Sequence, residues 1–350
     1  MSALPAPLER AVYGFMASHA LFAAEGSGLL AALCRGGRRS AGELAAECSL
    51  HAPTVDRLLT ALVSMDLVER SGPGYHMPDR IRPFLDRADP MYSGGLFPLF
   101  ERVSTRTFAR LGEALKDGEP QLAAALGEER ASPFDVLYGD DVARDRFAAA
   151  MWSLGYRAAG ELAPHLALPD RPNHLVDVGG GSGSFAVAAL LRWPHLTAEV
   201  FDLPALESAV ASAVRAHRLE GRLSFRPGDF FRDALPAADL CSLGYILSDW
   251  SDEQSLAILR AAHRALRPDG RVLILERLFD DDRNGPMSTA LMDLCMLLEP
   301  GGKHRTAREY GALLERAGFA PLGVHRSTGE KHLIVGRKRP DGGGGSDATP

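Results

Sequence analysis

The stretch LVDVGGGSG, residues 175–183, predicts the fold of this chain. Three apolar side chains flank Asp177 and are typical of a buried strand. The glycines that follow, at 179–181 and 183, permit a tight turn and close backbone approach to a ligand, ahead of a helix that begins near Ser184. A strand, a glycine loop and a helix in this order indicate an α/β domain that binds a nucleotide-containing ligand.

Further apolar runs continue this pattern along the chain. They are LTAEVFDL (196–203), LSFRPGDF (223–230), ADLCSLGYIL (238–247) and GRVLILERL (270–278). Stretches such as 184–193 and 253–266 lie among them and have helical spacing of apolar residues. Alternating strands and helices predict an α/β fold with a doubly wound parallel sheet, helices on both faces, and a ligand beyond the carboxyl ends of the strands.

The first hundred residues, 1–100, predict a separate helical domain. Ser40 with Glu43 predicts a helix cap, 52–70 has helical spacing, and 70–79 has the turn residues of a hairpin. This order outlines a winged helix. Dimerisation is favoured over DNA binding, because 54–70 carries few basic residues. We expect 101–170 to be a helical linker and pocket roof, 171–338 the binding domain, and the Gly-rich 339–350 a disordered tail.

The composition of the chain disfavours several classes of binding partner. The formal net charge of −6 does not favour nucleic acid or anionic membranes. Four widely spaced cysteines without a CxxC pair suit a reducing cytoplasm and argue against a disulfide framework or a zinc site. No apolar run reaches the roughly 18 residues of a membrane helix. We therefore expect a cytoplasmic protein without metal, membrane or nucleic-acid partners.

Three carboxylates follow successive strands and discriminate between two nucleoside cofactors. The glycines also satisfy the dinucleotide pattern GxGxxA at 181–186, and Asp202 would bind the ribose of either cofactor. Asp177 would repel a pyrophosphate, however, and Asp229 adds a third carboxylate. This set favours S-adenosylmethionine, whose amino-acid end is cationic, over NAD. The alternative is that Asp177 and Asp229 only cap turns.

The motifs together resemble one enzyme family. LVDVGGGSG, FDLP (201–204), GDFF (228–231), SDWSDE (248–253), LILE (273–276) and GGKHRT (301–306), behind a winged-helix region, resemble the S-adenosylmethionine-dependent small-molecule O-methyltransferases. This family includes caffeate, acetylserotonin and bacterial polyketide-tailoring enzymes, and the resemblance covers about residues 10–338. It implies a class I methyltransferase fold (Rossmann-like), a homodimer formed through the N-terminal domain, and methyl transfer to a small-molecule acceptor that leaves S-adenosylhomocysteine.

The resemblance also implies the residues of the site. The cofactor-binding residues by motif match are Asp177, Gly179, Gly180, Gly181, Gly183, Asp202, Leu203, Asp229, Phe230, Gly244 and Trp250. The acceptor-binding residues would be Phe147, Met151, Trp152, Tyr156 and Met292, with simple helix packing as the alternative for the aromatic ones. Arg305 or Lys303 would be available to hold an acceptor carboxylate, with exposed, solvated charges as the alternative.

The chain departs from the family where a proton must be removed. Ser248 stands where members that methylate phenols have a histidine base, and Gly244 stands where a lysine is common. Glu276 matches a family glutamate, whereas His304 replaces a second one. His304 would then be either a relocated base, oriented by Glu276, or only a polar pocket residue. In the second case Ser248, Asp249 and Glu276 would orient the acceptor.

Because Ser248 stands where the family has a histidine base, functions other than hydroxyl methylation remain possible. Methylation of a hydroxyl leads, but a thioether or thiol acid, such as methylthiohydroxybutyrate, would need no base. A relative that assists hydroxylation without methyl transfer is a second alternative. A ligand-sensing winged-helix transcription regulator is the alternative from another class.

Overall fold

The chain divides into two compact units, Met1–Arg102 and Val103–Pro350. The computed structural model describes residues 4–89, 91–127, 141–166, 168, 173–299 and 301–340. The side chains of 141–143 and 146–147 lie outside this description. Nearly all of the segment predicted as a helical linker, 101–170, groups with the second unit. The part of the chain that the structure describes has no helix long and apolar enough to cross a membrane.

The first unit contains the predicted helices and hairpin in the predicted order. Its helices are α1 (Ala6–Gly26), α2 (Leu29–Cys34), α3 (Ala41–Cys48), α4 (Ala52–Ser64), α5 (Arg82–Leu85) and α6 (Phe97–Leu99). Its strands β1 (Arg39–Ser40), β2 (Glu69–Ser71) and β3 (Gly74–His76) form a sheet in the order β1-β3-β2. Ser40 and Glu43 cap α3 reciprocally, as predicted from their spacing.

The second unit is built around a seven-stranded sheet in the order β11-β12-β8-β7-β4-β5-β6. Its strands are β4 (Asn173–Val178), β5 (Leu196–Asp202), β6 (Leu223–Pro227), β7 (Ala238–Gly244), β8 (Leu266–Glu276), β9 (Leu278–Phe279), β10 (Arg305–Thr306), β11 (Phe319–His325) and β12 (His332–Lys338). Its helices are α7 (Thr105–Phe108), α8 (Leu111–Asp117), α9 (Leu122–Leu126), α10 (Asp141–Leu162), α11 (Ser184–Arg192), α12 (Glu207–His217), α13 (Asp252–Ala265), α14 (Met287–Leu298) and α15 (Ala307–Arg316).

The sheet is mixed rather than wholly parallel. Strands β4 to β8 pair in parallel, as the apolar runs predict. Strand β12 is antiparallel to β8, and β11 is antiparallel to β12. The predicted parallel sheet is therefore extended at one edge by two antiparallel strands, which were not predicted. Because β12 runs in reverse, its first residues lie at the carboxyl ends of the parallel strands, where ligands bind in such sheets.

Helices cover both faces of the sheet. Side chains of α10 and α11, such as Leu162 and Phe185, pack on one face, in the hydrophobic core cluster that contains Leu175 of β4. Side chains of α13 and α15, such as Ile258 and Leu313, pack on the other face. The central strands are therefore buried on both faces of the sheet. The polar residues at their carboxyl ends are the ones that can contact a ligand.

Candidate active site

The glycine loop turns the chain from β4 into α11. Gly179, Gly181 and Gly183 all have positive φ, at 64°, 59° and 80°, which side chains other than glycine rarely adopt. At Gly180 a Cβ would lie only 2.6 Å from Oδ2 of Asp177. The loop therefore needs glycine both for its conformation and for close approach to the carboxylate beneath it.

Asp177 is a buried carboxylate under this loop. Its Oδ1 accepts a hydrogen bond of 2.6 Å from the Ser242 hydroxyl, whereas its Oδ2 has no hydrogen-bond partner within the described part of the chain. Burial raises the pKa of Asp177 to about 6. A carboxylate with an unused buried oxygen is suited to receive a cationic group.

Asp202 ties the end of β5 to the same loop. Its Oδ2 accepts from the backbone N–H of Gly181 at 2.7 Å, and its Oδ1 accepts from the N–H of Leu203 at 2.7 Å. Burial raises the pKa of Asp202 to about 6. The structure therefore brings together Asp177, the glycines, Asp202 and Leu203 from the predicted cofactor-binding set.

Asp229 has a different environment. It accepts a hydrogen bond of 2.9 Å from the N–H of Phe231 and forms an ion pair of 3.4 Å with Arg232. Turn capping, the alternative given for this residue, is thus observed. Its neighbour Phe230 lies edge-on to Trp250 with ring centroids 6.2 Å apart, and Phe231 does so at 4.7 Å. Phe230 and Trp250 were predicted, whereas Phe231, which only continues the motif GDFF, was not singled out.

The turn after β7 meets the end of β8. Ser248, in the short helical turn Leu247–Asp249, donates its backbone N–H to Oε1 of Glu276 at 3.2 Å. Glu276 is fully buried, and its Oε2 has no hydrogen-bond partner among the described residues. Burial raises the pKa of Glu276 to about 7, although hydrogen bonds from Ser248 oppose the rise. A carboxylate with this pKa can gain or lose a proton near neutrality.

Asp249 and Glu299 add further carboxyl groups around Glu276. Burial, followed by the charges of Glu276 and Glu299, raises the pKa of Asp249 well above its usual range. Glu299 accepts from the hydroxyl of Ser104 at 2.9 Å, and burial raises its pKa as well. Glu299 was not predicted, because the sequence around it, LLEPGG, contains no motif that marks it.

His304 lies in the loop that packs on this turn. A Cβ at Gly302 would overlap the backbone of Ser248 and Asp249, so the loop needs glycine there. His304 is 2% exposed, and neither ring nitrogen has a hydrogen-bond partner in the described residues. Burial and the charges of Arg277 and Arg305 lower the pKa of His304 to about 3. The imidazole is therefore neutral near pH 7 but accepts a proton weakly.

Arg305 holds the turn in place through backbone contacts. Its guanidinium donates to the carbonyl oxygens of Leu247 at 2.7 Å and Trp250 at 2.9 Å, and it pairs with Asp252 at 2.8 Å. Lys303 also pairs with Asp252, at 2.9 Å. The expectation that Arg305 is available for an acceptor carboxylate was wrong, because these partners occupy its buried donors.

The residues predicted to bind the acceptor lie on α10 and α14. On α10, Trp152 stacks on Tyr156 with centroids 4.8 Å apart and on His217 of α12 at 5.5 Å. Trp152 also lines a cavity of about 520 Å³ with Ser182 and His217. Met151 of α10 and Met292 of α14 are half-buried, and the side chain of Phe147 lies outside the described residues. Their role in acceptor binding stays a prediction.

Gly244, the last residue of β7, leaves room for a cation from another strand. A Cβ at Gly244 would lie 3.4 Å from Nζ of Lys331. Lys331 precedes β12 and is 5% exposed. It was not predicted, because its neighbours in sequence indicate only the start of an apolar run.

Comparisons with known proteins fit this geometry. A model of the O-methyltransferase domain matches residues 108–320, and a model of the O-methyltransferase dimerisation domain matches residues 10–80. Acetylserotonin O-methyltransferase of Gallus gallus is 31% identical over 336 residues, which are 93% of this chain and 95% of that enzyme.

A bacterial enzyme and a solved structure agree with these matches. The tetracenomycin polyketide synthesis 8-O-methyl transferase TcmO of Streptomyces glaucescens is 33% identical over 299 residues, 85% of this chain and 86% of that protein. The crystal structure of human N-acetylserotonin methyltransferase in complex with S-adenosylmethionine has a TM-score of 0.85 and 28% sequence identity. It covers 97% of this chain, which in turn covers 99% of the human one.

Proposed function

The chain belongs to the S-adenosylmethionine-dependent O-methyltransferase family, and from this premise we propose that it methylates a hydroxyl group of a small metabolite. The family, the class I fold and the cofactor were expected from the sequence motifs and are confirmed by the relatives. That the methylated group is a hydroxyl is the more specific part of the proposal. The observation that supports it is Glu276, a buried carboxyl group whose pKa of about 7 and unpartnered Oε2 suit it to accept a proton.

The described residues fit the cofactor. The unpartnered Oδ2 of Asp177 is suited to an ammonium group, and the glycine loop leaves open the space that side chains would fill. Asp202 would hold the ribose hydroxyls, and the rings of Phe230 and Trp250 would flank the adenine. When bound, S-adenosylmethionine supplies a methyl group on a positively charged sulfur.

Glu276 rather than His304 is the better-matched proton acceptor. An acceptor hydroxyl must lose its proton as its oxygen forms the new bond to carbon, and a base with a pKa near the working pH promotes that step. The pKa of Glu276 is about 7, whereas that of His304 is about 3. In this proposal Glu276 takes the proton, the Ser248 hydroxyl orients the acceptor, and His304 lines the pocket as a neutral group.

Methylation of a thioether is the second candidate. The observation that favours it is Ser248, which cannot itself act as a base and stands where phenol-methylating relatives have histidine. A sulfur lone pair attacks without loss of a proton, so Glu276 would then have no part in the chemistry.

A screen of acceptors discriminates between these candidates. Purified protein is incubated with S-adenosylmethionine and sets of phenols, including N-acetylserotonin and polyketide phenols, and with carboxylic acids, thiols and thioethers. Formation of S-adenosylhomocysteine and of the methylated product is followed by mass spectrometry. Product from a hydroxyl compound supports the proposal, whereas product from thioethers alone contradicts it.

We also propose that the chain forms a homodimer through its first unit. The dimerisation-domain match covers 10–80, and α1 exposes a row of large apolar side chains: Leu8, Val12, Tyr13, Phe15 and Met16. Light scattering should give twice the chain mass for the parent. It should give a single chain mass for a Phe15→Glu, Met16→Glu variant, and a dimer that survives both substitutions would contradict the assignment of this face.

A further inference from the structure

Lys331 is a buried cation at the ligand-binding edge of the sheet. It directly precedes His332, which pairs with Glu276 at the carboxyl end of β8. Successive side chains of a strand alternate between faces, so Lys331 falls on the same face as Leu333. Leu333 packs in the cluster formed under α10 and α11, and Asp177 lies on that face as well, two residues beyond Leu175. The ammonium group therefore shares a face with Asp177.

Two glycines make room for the lysine. A Cβ at Gly155 of α10 would lie 3.6 Å from Nζ of Lys331, and one at Gly244 would lie 3.4 Å from it. The Nζ atom also lies 3.9 Å from the centroid of the Tyr245 ring. The side chain thus extends from the residue before β12 towards the end of β7, beneath α10.

The ammonium group lacks an ion-pair partner within the described part of the chain. The nearby Arg277 pairs instead with Glu330. Glu276 and Asp177 act on Lys331 only as charges at longer range, and burial lowers its pKa to about 8. The face of the Tyr245 ring compensates this burial only in part, so a bound anion would offset the remaining penalty of a buried ammonium without an ion-pair partner.

We propose that Lys331 binds the α-carboxylate of the amino-acid end of S-adenosylmethionine, while the free oxygen of Asp177 receives its ammonium group. An amino acid carries both charges, and a carboxylate and an ammonium on one face of the cleft complement them. This assignment rests on the cofactor and not on the acceptor or the base, so it holds whichever group is methylated. Lys331 is a binding residue here and takes no proton in the reaction.

The test compares two ligands that differ only in the amino-acid end. S-adenosylhomocysteine carries it, whereas 5′-methylthioadenosine has the same nucleoside and sulfur without it. Calorimetric titration of Lys331→Met should show about 10- to 100-fold weaker binding of S-adenosylhomocysteine, the usual effect of losing a charged hydrogen bond. Binding of 5′-methylthioadenosine should change less than about twofold. Lys338→Met, at the far end of the same strand, is the matched control and should bind both ligands as the parent does.

Other outcomes would overturn the assignment. Unchanged binding of S-adenosylhomocysteine to Lys331→Met would mean that the lysine does not contact the carboxylate. Equal weakening of both ligands would indicate a general effect on the fold. Lys331→Arg keeps the positive charge and should keep the ratio of the two affinities within about threefold of the parent. Loss of that ratio in a folded Lys331→Arg protein would also contradict a charge-based contact.

Discussion

Replacing Glu276 by glutamine separates the contribution of its charge to the reaction from its contribution to folding. The pKa of Glu276 is about 7 in the folded chain, against an ordinary value of 4.5. This difference means that ionising Glu276 costs the folded state about 3 kcal/mol. A group with a raised folded-state pKa stabilises the fold below its unfolded value and loses this contribution as the pH rises through about 7. Glutamine has the same shape and no charge, so Glu276→Gln should be more stable than the parent at pH 8 and nearly equal to it at pH 4.5.

The activity of the enzyme should depend on pH in the opposite way to its stability. As a base, Glu276 must be deprotonated, so kcat/KM of the parent should fall about tenfold per pH unit below 7 and level off above it. Glu276→Gln should lose about 10²- to 10⁴-fold in turnover of a hydroxyl acceptor and lose this pH dependence.

The two measurements are made on the same preparations. Urea unfolding between pH 4.5 and 8.5 gives the free energies of unfolding, and initial rates with the acceptor found by screening give the pH profile. Binding of S-adenosylhomocysteine, measured by calorimetry, should stay within about threefold of the parent and serves as the control for an intact cofactor site. A Glu276→Gln protein that methylates a hydroxyl at the parental rate, or that is less stable than the parent at pH 8, would refute the reasoning.

Further predictions address the other residues of the site. His304→Ala should change turnover by less than about threefold and leave the pH profile unaltered, because its pKa of about 3 leaves it neutral throughout; a loss of about 10²-fold in steady-state rates would identify it as the base instead. Asp202→Asn should weaken S-adenosylhomocysteine and 5′-methylthioadenosine alike by about 1–3 kcal/mol, since both carry the ribose; calorimetry that shows unchanged affinities would mean the ribose lies elsewhere. Arg305→Met should lower the free energy of unfolding by roughly 2–4 kcal/mol in urea, because two buried carbonyls lose charged donors. Lys303→Met, its exposed neighbour, should stay within about 0.5 kcal/mol of the parent, and equal losses in the two variants would refute the role given to Arg305.

The parts of the site that follow from local sequence were predictable. A glycine loop after an apolar strand commonly forms the turn into a helix beside a bound nucleotide-containing ligand. The positions of Gly179 to Gly183 and of the neighbouring Asp202 could therefore be predicted without coordinates. Trp250 and Phe230 were predicted through their motifs, and they do lie together. These residues are identified by what stands beside them in the chain.

The remaining features depend on contacts between distant segments. The Lys331 ammonium reaches the end of β7 only because β12 runs antiparallel to β8, and that pairing was not predicted from the sequence. The different pKa values of Glu276 and His304 arise from burial and neighbouring charges, which a sequence does not specify. The sequence therefore left His304 either as a base or as a polar pocket residue, and the proposal that Glu276 takes the proton could be made only from the structure.

The contacts of Arg305 bear on how this scaffold changes during evolution. Its guanidinium donates hydrogen bonds to the carbonyl oxygens of Leu247 and Trp250, and Glu276 accepts one from the backbone N–H of Ser248. None of these three anchors involves a side chain of the turn, so a substitution at 248 removes none of them directly. The Ser248 side chain makes a further hydrogen bond to Glu276, and this is the contact that such a substitution changes. Histidine can therefore be replaced by serine at this position during evolution, and another group can take the proton, while the three contacts that hold the turn are kept.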